Sequence, residues 1–194
     1  MPQTGLLDTI LPRYQFVETH HVAVRASPAR IMESIRAYRA IHDPLVRMAI
    51  GIRELPARLF GHRAGRRLNL DDFTVVGQEG TGEIVFALMG ALWKTDYGLV
   101  PIPSPDAFMS CKRTDICRLA MGFHISARPD RPHNMVVTQT RVDCPTVASR
   151  RRFAPYWYAI RPVSGLIRRR MLKQIRTMAE NPPACSKDDL KTTP

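Results

Sequence analysis

The stretch ASRRRFAPYWYAIRPVSGLIRRRMLKQIRTMAE, Ala148–Glu180, decides the fold of this chain. Read at helical spacing, its apolar residues fall within roughly a third of the circumference, and basic residues take much of the remainder. At a rise of 1.5 Å per residue the predicted helix is about 45 Å long. Pro162 is predicted to kink it, because proline removes a backbone hydrogen bond. The apolar stripe consists of Phe153, Trp157, Ile160, Ile167, Met171, Ile175 and Met178.

A helix of this length needs a broad apolar partner surface, and the sequence before it predicts strands that supply one. The alternating segment Tyr14–Ala26 predicts the first strand. Ser27-Pro28 is typical of a helix start, with the hydroxyl as N-cap and proline at the first helical position. Asp43-Pro44 predicts the start of a second helix by the same rule.

Downstream, the pattern changes to strands, and the sequence predicts five to seven strands in total. The segment Glu83–Trp93 is apolar on both faces, which favours a strand with both surfaces covered or one beside a cavity. Tyr97–Pro105 carries three prolines and is predicted to be an irregular loop. The other predicted strands are Phe73–Glu79, Ile116–Ala127 and Asn134–Asp143.

Length, charge and cysteine content limit the classes of protein to consider. The 194 residues predict one domain, 1–180, and a disordered tail, 181–194. A net charge of +12 indicates attraction to polyanions, or simply a solvated basic surface. No apolar run reaches the roughly 20 residues that span a bilayer, and the N-terminus lacks the pattern of a secretory signal. The four cysteines lack metal-ligand spacing, so we expect reduced thiols in a cytoplasmic protein with no metal or cofactor.

Four segments carry a resemblance to a known superfamily: HHVAVRASPARIMESIR at His20–Arg36, GEIVFALMGALW at Gly82–Trp93, TQTRV at Thr138–Val142, and RRFAPYWYAIRPVSGLIRR at Arg151–Arg169. The sequence resembles the START-like superfamily, also called SRPBCC, and more narrowly a bacterial branch of it. The resemblance implies an α+β helix-grip fold. In that fold a curved antiparallel sheet wraps around a long kinked C-terminal helix, and two short helices follow the first strand. Binding, transport, cyclase and hydrolase proteins all use this fold, so it does not settle function.

Histidine supplies the best acid–base candidate in the sequence. The neighbours His20 and His21 cannot share a metal ion, because adjacent strand residues point to opposite faces. Parity predicts that His20 faces the interior and that His21 and His124 face outward. An imidazole titrates near neutral pH, so His20 is a candidate general acid or base. A structural, hydrogen-bonded histidine is the competing interpretation.

The resemblance also implies a cavity between the sheet and the helix. Core packing alone would explain the aromatic stripe, but Thr138 and Thr140 add hydroxyls to the sheet wall. Arg161 and Arg168 could clamp a carboxylate or phosphate, or pair with Glu54, Glu79 or Glu83. The predicted ligand-binding residues are Phe86, Met121, Phe123, Thr138, Thr140, Phe153, Tyr156, Trp157, Ile160, Arg161 and Ser164.

Three functions stay open at this stage. The leading hypothesis is binding of a largely apolar small molecule or lipid in the cavity, without a reaction. The second is a cyclase- or dehydratase-like enzyme, with His20 as acid–base residue and Arg161 or Tyr156 orienting the substrate. The third is a basic surface that binds anionic lipid or nucleic acid. Since no nucleic-acid motif is present, peripheral contact with an anionic membrane is favoured over nucleic acid. The sequence does not indicate an oligomeric state.

Overall fold

The architecture is a curved antiparallel sheet with a long C-terminal helix packed on its inner face. A computed structural model describes residues 5–38, 72–94, 96–126 and 132–181. The predicted helix at Asp43-Pro44 lies outside these ranges, as does the predicted tail, 181–194, apart from its first residue. In chain order the elements are α1 (Leu6–Ile10), β1 (Phe16–Val24), α2 (Pro28–Ala37), β2 (Thr74–Glu79), β3 (Glu83–Gly90), β4 (Leu99–Val100), α3 (Pro105–Met109), β5 (Cys117–Ser126), β6 (Asn134–Asp143) and α4 (Val147–Glu180).

The sheet confirms the predicted helix-grip class. Its strand order is β1-β6-β5-β3-β2, with β4 paired to β3, and every pairing is antiparallel. Six strands among the described residues agree with the predicted five to seven. The prediction of an irregular loop at Tyr97–Pro105 was partly wrong, because β4 lies within it and α3 begins at Pro105. There the Ser104 hydroxyl accepts a hydrogen bond from the Ala107 backbone N–H at 3.2 Å, so serine and proline start a helix.

Helices α2 and α4 both begin with a side-chain cap. Ser27 accepts a hydrogen bond from Arg30 N at the start of α2. Thr146 caps α4 and forms a reciprocal capping box with Ser149. Helix α4 then continues to Glu180 through Pro155 and Pro162, and the kink at Pro162 stays a prediction. Most of the predicted apolar stripe is buried or half-buried, and Met178, in the last turn of the helix, is 37% exposed.

Both faces of the sheet are covered, as the apolar character of β3 predicted. On the inner face, α4 and α2 pack against Ile84, Phe123 and Val136. On the outer face, α1 packs on alternate residues such as Val85 and Ala87. Arg141 fastens α1 there: it forms an ion pair with Asp8 at 2.6 Å and donates to the carbonyls of Leu7 and Leu11. The outer layer therefore stabilises the sheet independently of the inner face.

The cysteines that the structure describes are free thiols. Cys117 and Cys144 are buried, with their sulfur atoms 2.7 Å apart, and Cys111 is half-buried. The hydrogen bond with Cys144, together with burial, raises the pKa of the Cys117 thiol. Cys185 lies outside the described residues. Within the described ranges, no helix combines the length and apolar character needed to cross a bilayer.

Candidate functional site

A group of five polar side chains lies between the apolar ends of the inner face. We call Glu18, His20, Thr138, Thr140 and Arg168 the polar cluster. The antiparallel register of β1 and β6 places Glu18 opposite Thr140 and His20 opposite Thr138. Directly opposed residues on one face have Cβ atoms about 4.5–5.5 Å apart, so these four form one polar patch. Arg168 reaches the same region from α4.

Glu18 and His20 contact each other within this patch. Their Oε1 and Nε2 atoms are 2.9 Å apart, and both side chains are largely buried. Because a carboxylate only accepts hydrogen bonds, the Nε2–H of His20 is the donor, and in the neutral imidazole Nδ1 is then an acceptor. The carboxylate thus fixes the tautomer and the orientation of the imidazole. The sequence predicted that His20 faces the interior, but it did not predict the contact with Glu18.

Gly165 is the residue of α4 that faces this pair. A Cβ atom at position 165 would lie 3.1 Å from Glu18 Oε1 and 3.7 Å from His20 Cε1. Any larger side chain would press on both groups. Glycine therefore brings the helix backbone close to Glu18 without a side chain covering the imidazole.

Arg168 is the cation of the cluster, and its Nε is buried without a hydrogen-bond partner in the part of the chain that the structure describes. Its Nη1 lies 2.8 Å from the sulfur of Met121, the residue opposite Thr140 on β5. Burial lowers the pKa of Arg168 to about 10, and the negative charge of Glu18 partly opposes that shift. Arg168 is therefore still charged at neutral pH.

The two threonines complete the cluster with hydroxyls that also lack partners. Thr138 and Thr140 are fully buried, and among the described residues no group bonds to either Oγ1 or to Oε2 of Glu18. An unpaired buried polar atom costs about 1–3 kcal/mol, and such atoms are rare in proteins. The cluster thus concentrates hydrogen-bonding capacity that the described side chains leave unused. Thr138 and Thr140 can donate or accept, Arg168 donates, and Glu18 accepts.

The predicted ligand-binding residues divide into two groups. Phe86, Met121 and Phe123 lie beside Thr138 and Thr140 on the inner face, and the rings of Phe86 and Phe123 meet edge to face at 6.0 Å. Phe153 and Trp157 instead pack around Phe16, with ring centroids 5.0 and 5.7 Å from it. The ring centroids of Tyr156 and Phe153 are 5.6 Å apart, so Tyr156 belongs to this second, aromatic group.

The predicted residues in the middle of α4 differ in exposure. Ile160 and Ser164 are half-buried, whereas Arg161 is exposed. Arg168, two turns later, is the arginine that the helix directs to the sheet. The suggested pairing of an arginine with Glu83 was wrong, because Glu83 bonds Leu6 N and His124 on the outer face. Glu54 lies outside the described residues. Whether the eleven predicted residues bind a ligand stays a prediction.

His21 and His124 lie on the outer face, as parity predicted. His21 and His124 are exposed, and His124 Nδ1 lies 2.8 Å from Glu83 Oε1. His124 and Glu83 border a groove of about 330 Å³ beneath α1. Its charged side chains pair with one another through Glu83–His124 and Asp8–Arg141, which indicates a role in holding α1. In the described ranges, no three His, Cys, Asp or Glu side chains converge in a way that could hold a metal ion.

Comparison with known proteins gives structural matches only. No protein-family model and no curated protein matches this sequence. The chain is similar to the di-domain ARO/CYC BexL from the BE-7585A biosynthetic pathway, with a TM-score of 0.43, 12% identity and coverage of 87% of this chain. It spans about half, 51%, of BexL. It is also similar to Aha1 from Colwellia psychrerythraea, with a TM-score of 0.39, 9% identity and coverage of 86% of this chain and 97% of Aha1. A third similarity is to TTHA0849 from Thermus thermophilus, with a TM-score of 0.30, 7% identity and coverage of 82% of this chain and 97% of that protein.

Proposed function

We propose that this protein belongs to the START-like superfamily and binds a largely apolar small molecule between the sheet and α4. The observation that carries the proposal is the set of buried donor atoms on Thr138, Thr140 and Arg168 that have no partner among the described residues. A ligand oxygen that reached these atoms would accept the hydrogen bonds that they offer. Charge on Arg168 favours an anionic group such as a carboxylate, because a buried guanidinium without a bonded anion is costly.

The apolar body of the ligand would contact the side chains that surround the cluster. Met121 and Phe123 lie next to the two threonines on β5, and Phe86 continues this surface on β3. Ligand sites of this kind combine an apolar lining with a few polar groups that fix orientation. The ligand class is therefore an organic acid with an extended apolar portion. The expectation of a cytoplasmic location stays a prediction.

Replacing both threonines by valine tests this proposal, because valine keeps the shape and removes the hydroxyls. We expect T138V/T140V to weaken binding of decanoate about 5- to 100-fold, as two hydrogen bonds are lost. Isothermal titration calorimetry with decanoate measures the affinity, and decyltrimethylammonium is the matched probe of opposite charge. Native mass spectrometry of freshly purified protein detects any co-purified acid.

The matched control is T19V, because Thr19 lies on β1 but on the opposite, exposed face. T19V should bind decanoate like the wild type. The proposal fails if the wild type binds neither decanoate nor a co-purified acid, if it prefers decyltrimethylammonium, or if T138V/T140V binds as tightly as T19V.

The contact between His20 and Glu18 favours a second candidate, a cyclase- or dehydratase-like enzyme that uses the same cavity. A carboxylate-oriented imidazole can remove a proton next to a carbonyl group, and Arg168 could stabilise the resulting enolate. We expect the wild type to accelerate exchange of the α-protons of 2-decanone in D₂O, measured by proton NMR, and H20N to lose that acceleration. Exchange at the same rate in H20N, or at the uncatalysed rate in the wild type, contradicts this candidate.

A further inference from the structure

Helix α4 has a charge composition unlike the rest of the chain. Between Val147 and Glu180 the helix carries nine Lys and Arg residues and a single acidic one, Glu180. Glu180 is already engaged, since it accepts hydrogen bonds from Arg176 and from the backbone N–H of Arg25. Most of the net charge of the protein therefore resides on one helix, with little negative charge beside it.

Tyr158 and Leu166 are the most exposed large side chains with apolar surface in the middle of α4. Tyr158 is 64% exposed and Leu166 is 51% exposed. At 100° per residue, they and the exposed residues Arg151, Arg169 and Lys173 fall within an arc of roughly 80°. From Arg151 to Lys173 this strip is about 33 Å long at 1.5 Å per residue. We call these five residues the outer strip of α4.

We propose that the outer strip is a docking surface for an anionic lipid bilayer. Each cation near such a surface is attracted to the anionic headgroups, and an exposed tyrosine and leucine can enter the headgroup region while the cations stay in contact with phosphate. A second copy of this chain fits less well, because two outer strips would bring like charges together. Nucleic acid would match the charges but would gain little from Leu166.

Co-sedimentation with vesicles tests this surface. We expect the protein to bind vesicles of phosphatidylcholine mixed with phosphatidylglycerol and not vesicles of phosphatidylcholine alone. The variant R151E/R169E/K173E should lose about a hundredfold in affinity, since three favourable charges are reversed. L166S should lose about fivefold while leaving the charge unchanged. Raising the salt concentration should weaken the binding of the wild type.

The matched control reverses three exposed cations that are not on α4, in R13E/R30E/K112E. This variant has the same net charge as R151E/R169E/K173E and should retain most of the vesicle binding. Equal loss in both triple variants would overturn the proposal, because the attraction would then be a property of net charge. It would also be overturned if duplex DNA bound more tightly than the vesicles and L166S had no effect on either.

Discussion

Substitution of Arg168 by methionine is expected to weaken decanoate binding about 10- to 100-fold and to raise the free energy of unfolding by about 1–3 kcal/mol. Both effects follow from the same observation. The guanidinium is held in the inner face with its Nε buried and unbonded among the described residues, so it costs stability in the folded protein and offers a charged donor to a ligand. Methionine replaces it with an apolar chain beside Met121, which Arg168 now contacts through Nη1. Chemical denaturation measures stability, and calorimetry measures affinity.

The lowered pKa of Arg168 gives the pH dependence of this effect. The folded-state pKa is about 10, below the ordinary value of 12.5, so the unfolded chain binds more protons between these values. Charged Arg168 therefore lowers the free energy of unfolding at every pH below about 10. This penalty declines as the pH rises from about 10 to 12.5. The stability difference between R168M and the wild type should be constant near neutral pH and should shrink above pH 10.

R161M is the control, since Arg161 lies on the same helix and is exposed. It should change neither affinity nor stability. This pair of variants also decides between the two arginines that the sequence suggested as clamps. A lower free energy of unfolding in R168M would contradict the expectation, because it would show that Arg168 stabilises the folded protein. If R161M lost as much affinity for decanoate as R168M, the proposal that Arg168 is the cation that binds the ligand would be contradicted.

Substitution of Asp143 by alanine is expected to lower the free energy of unfolding by about 3–5 kcal/mol. Asp143 accepts from Arg118 Nη2 at 2.6 Å, and the two side chains are 7% and 13% exposed. Arg118 also donates to the carbonyls of Phe108 and Met109, and Gln15 donates to Asp143. Removing the carboxylate leaves a largely buried guanidinium without its anion, at a point where β5, β6 and α3 meet.

The matched control for D143A is D115A. Arg113 and Asp115 are also 2.6 Å apart, but they are 50% and 64% exposed. Solvent screens such a pair, so D115A should leave the unfolding midpoint in urea unchanged. If D143A and D115A shifted the midpoint equally, burial would not be the property that separates the two ion pairs.

Much of the fold was predictable because periodicity and capping are local. Ser27-Pro28 started a helix as expected, and β6 has its predicted bounds of Asn134–Asp143. The first turn of α3 was missed because prolines in a loop also suit a helix start, and the deciding hydrogen bond of Ser104 is not visible in composition. The position of α1 on the outer face was not predictable, because it depends on the ion pair of Arg141 with Asp8, and these residues are far apart in the sequence.

The polar cluster was only partly predictable, for a different reason. Glu18 interrupted an apolar alternation, and Thr138 and Thr140 were unusual on a packed face, so the sheet half of the site left a signal. The helix residues of the site, Gly165 and Arg168, were harder to predict from the sequence. A glycine and an arginine in a basic helix have many structural explanations, and only the register of helix against sheet sets Gly165 against Glu18. Phe153 and Trp157 were predicted to bind a ligand, which stays a prediction, and the contact of both rings with Phe16 was not foreseen from the sequence.

The position of the polar cluster between two apolar groups has a consequence for how this protein can evolve. Phe153 and Trp157 hold the first half of α4 to the sheet, and Met171 and Ile175 hold the second half. Trp157 and Met171 are 14 residues apart, about 21 Å along the helix. The segment between them is secured at both ends, so residues there can change without releasing the helix. Substitutions near Gly165 and Arg168 could therefore change the polar cluster while foldability is maintained elsewhere.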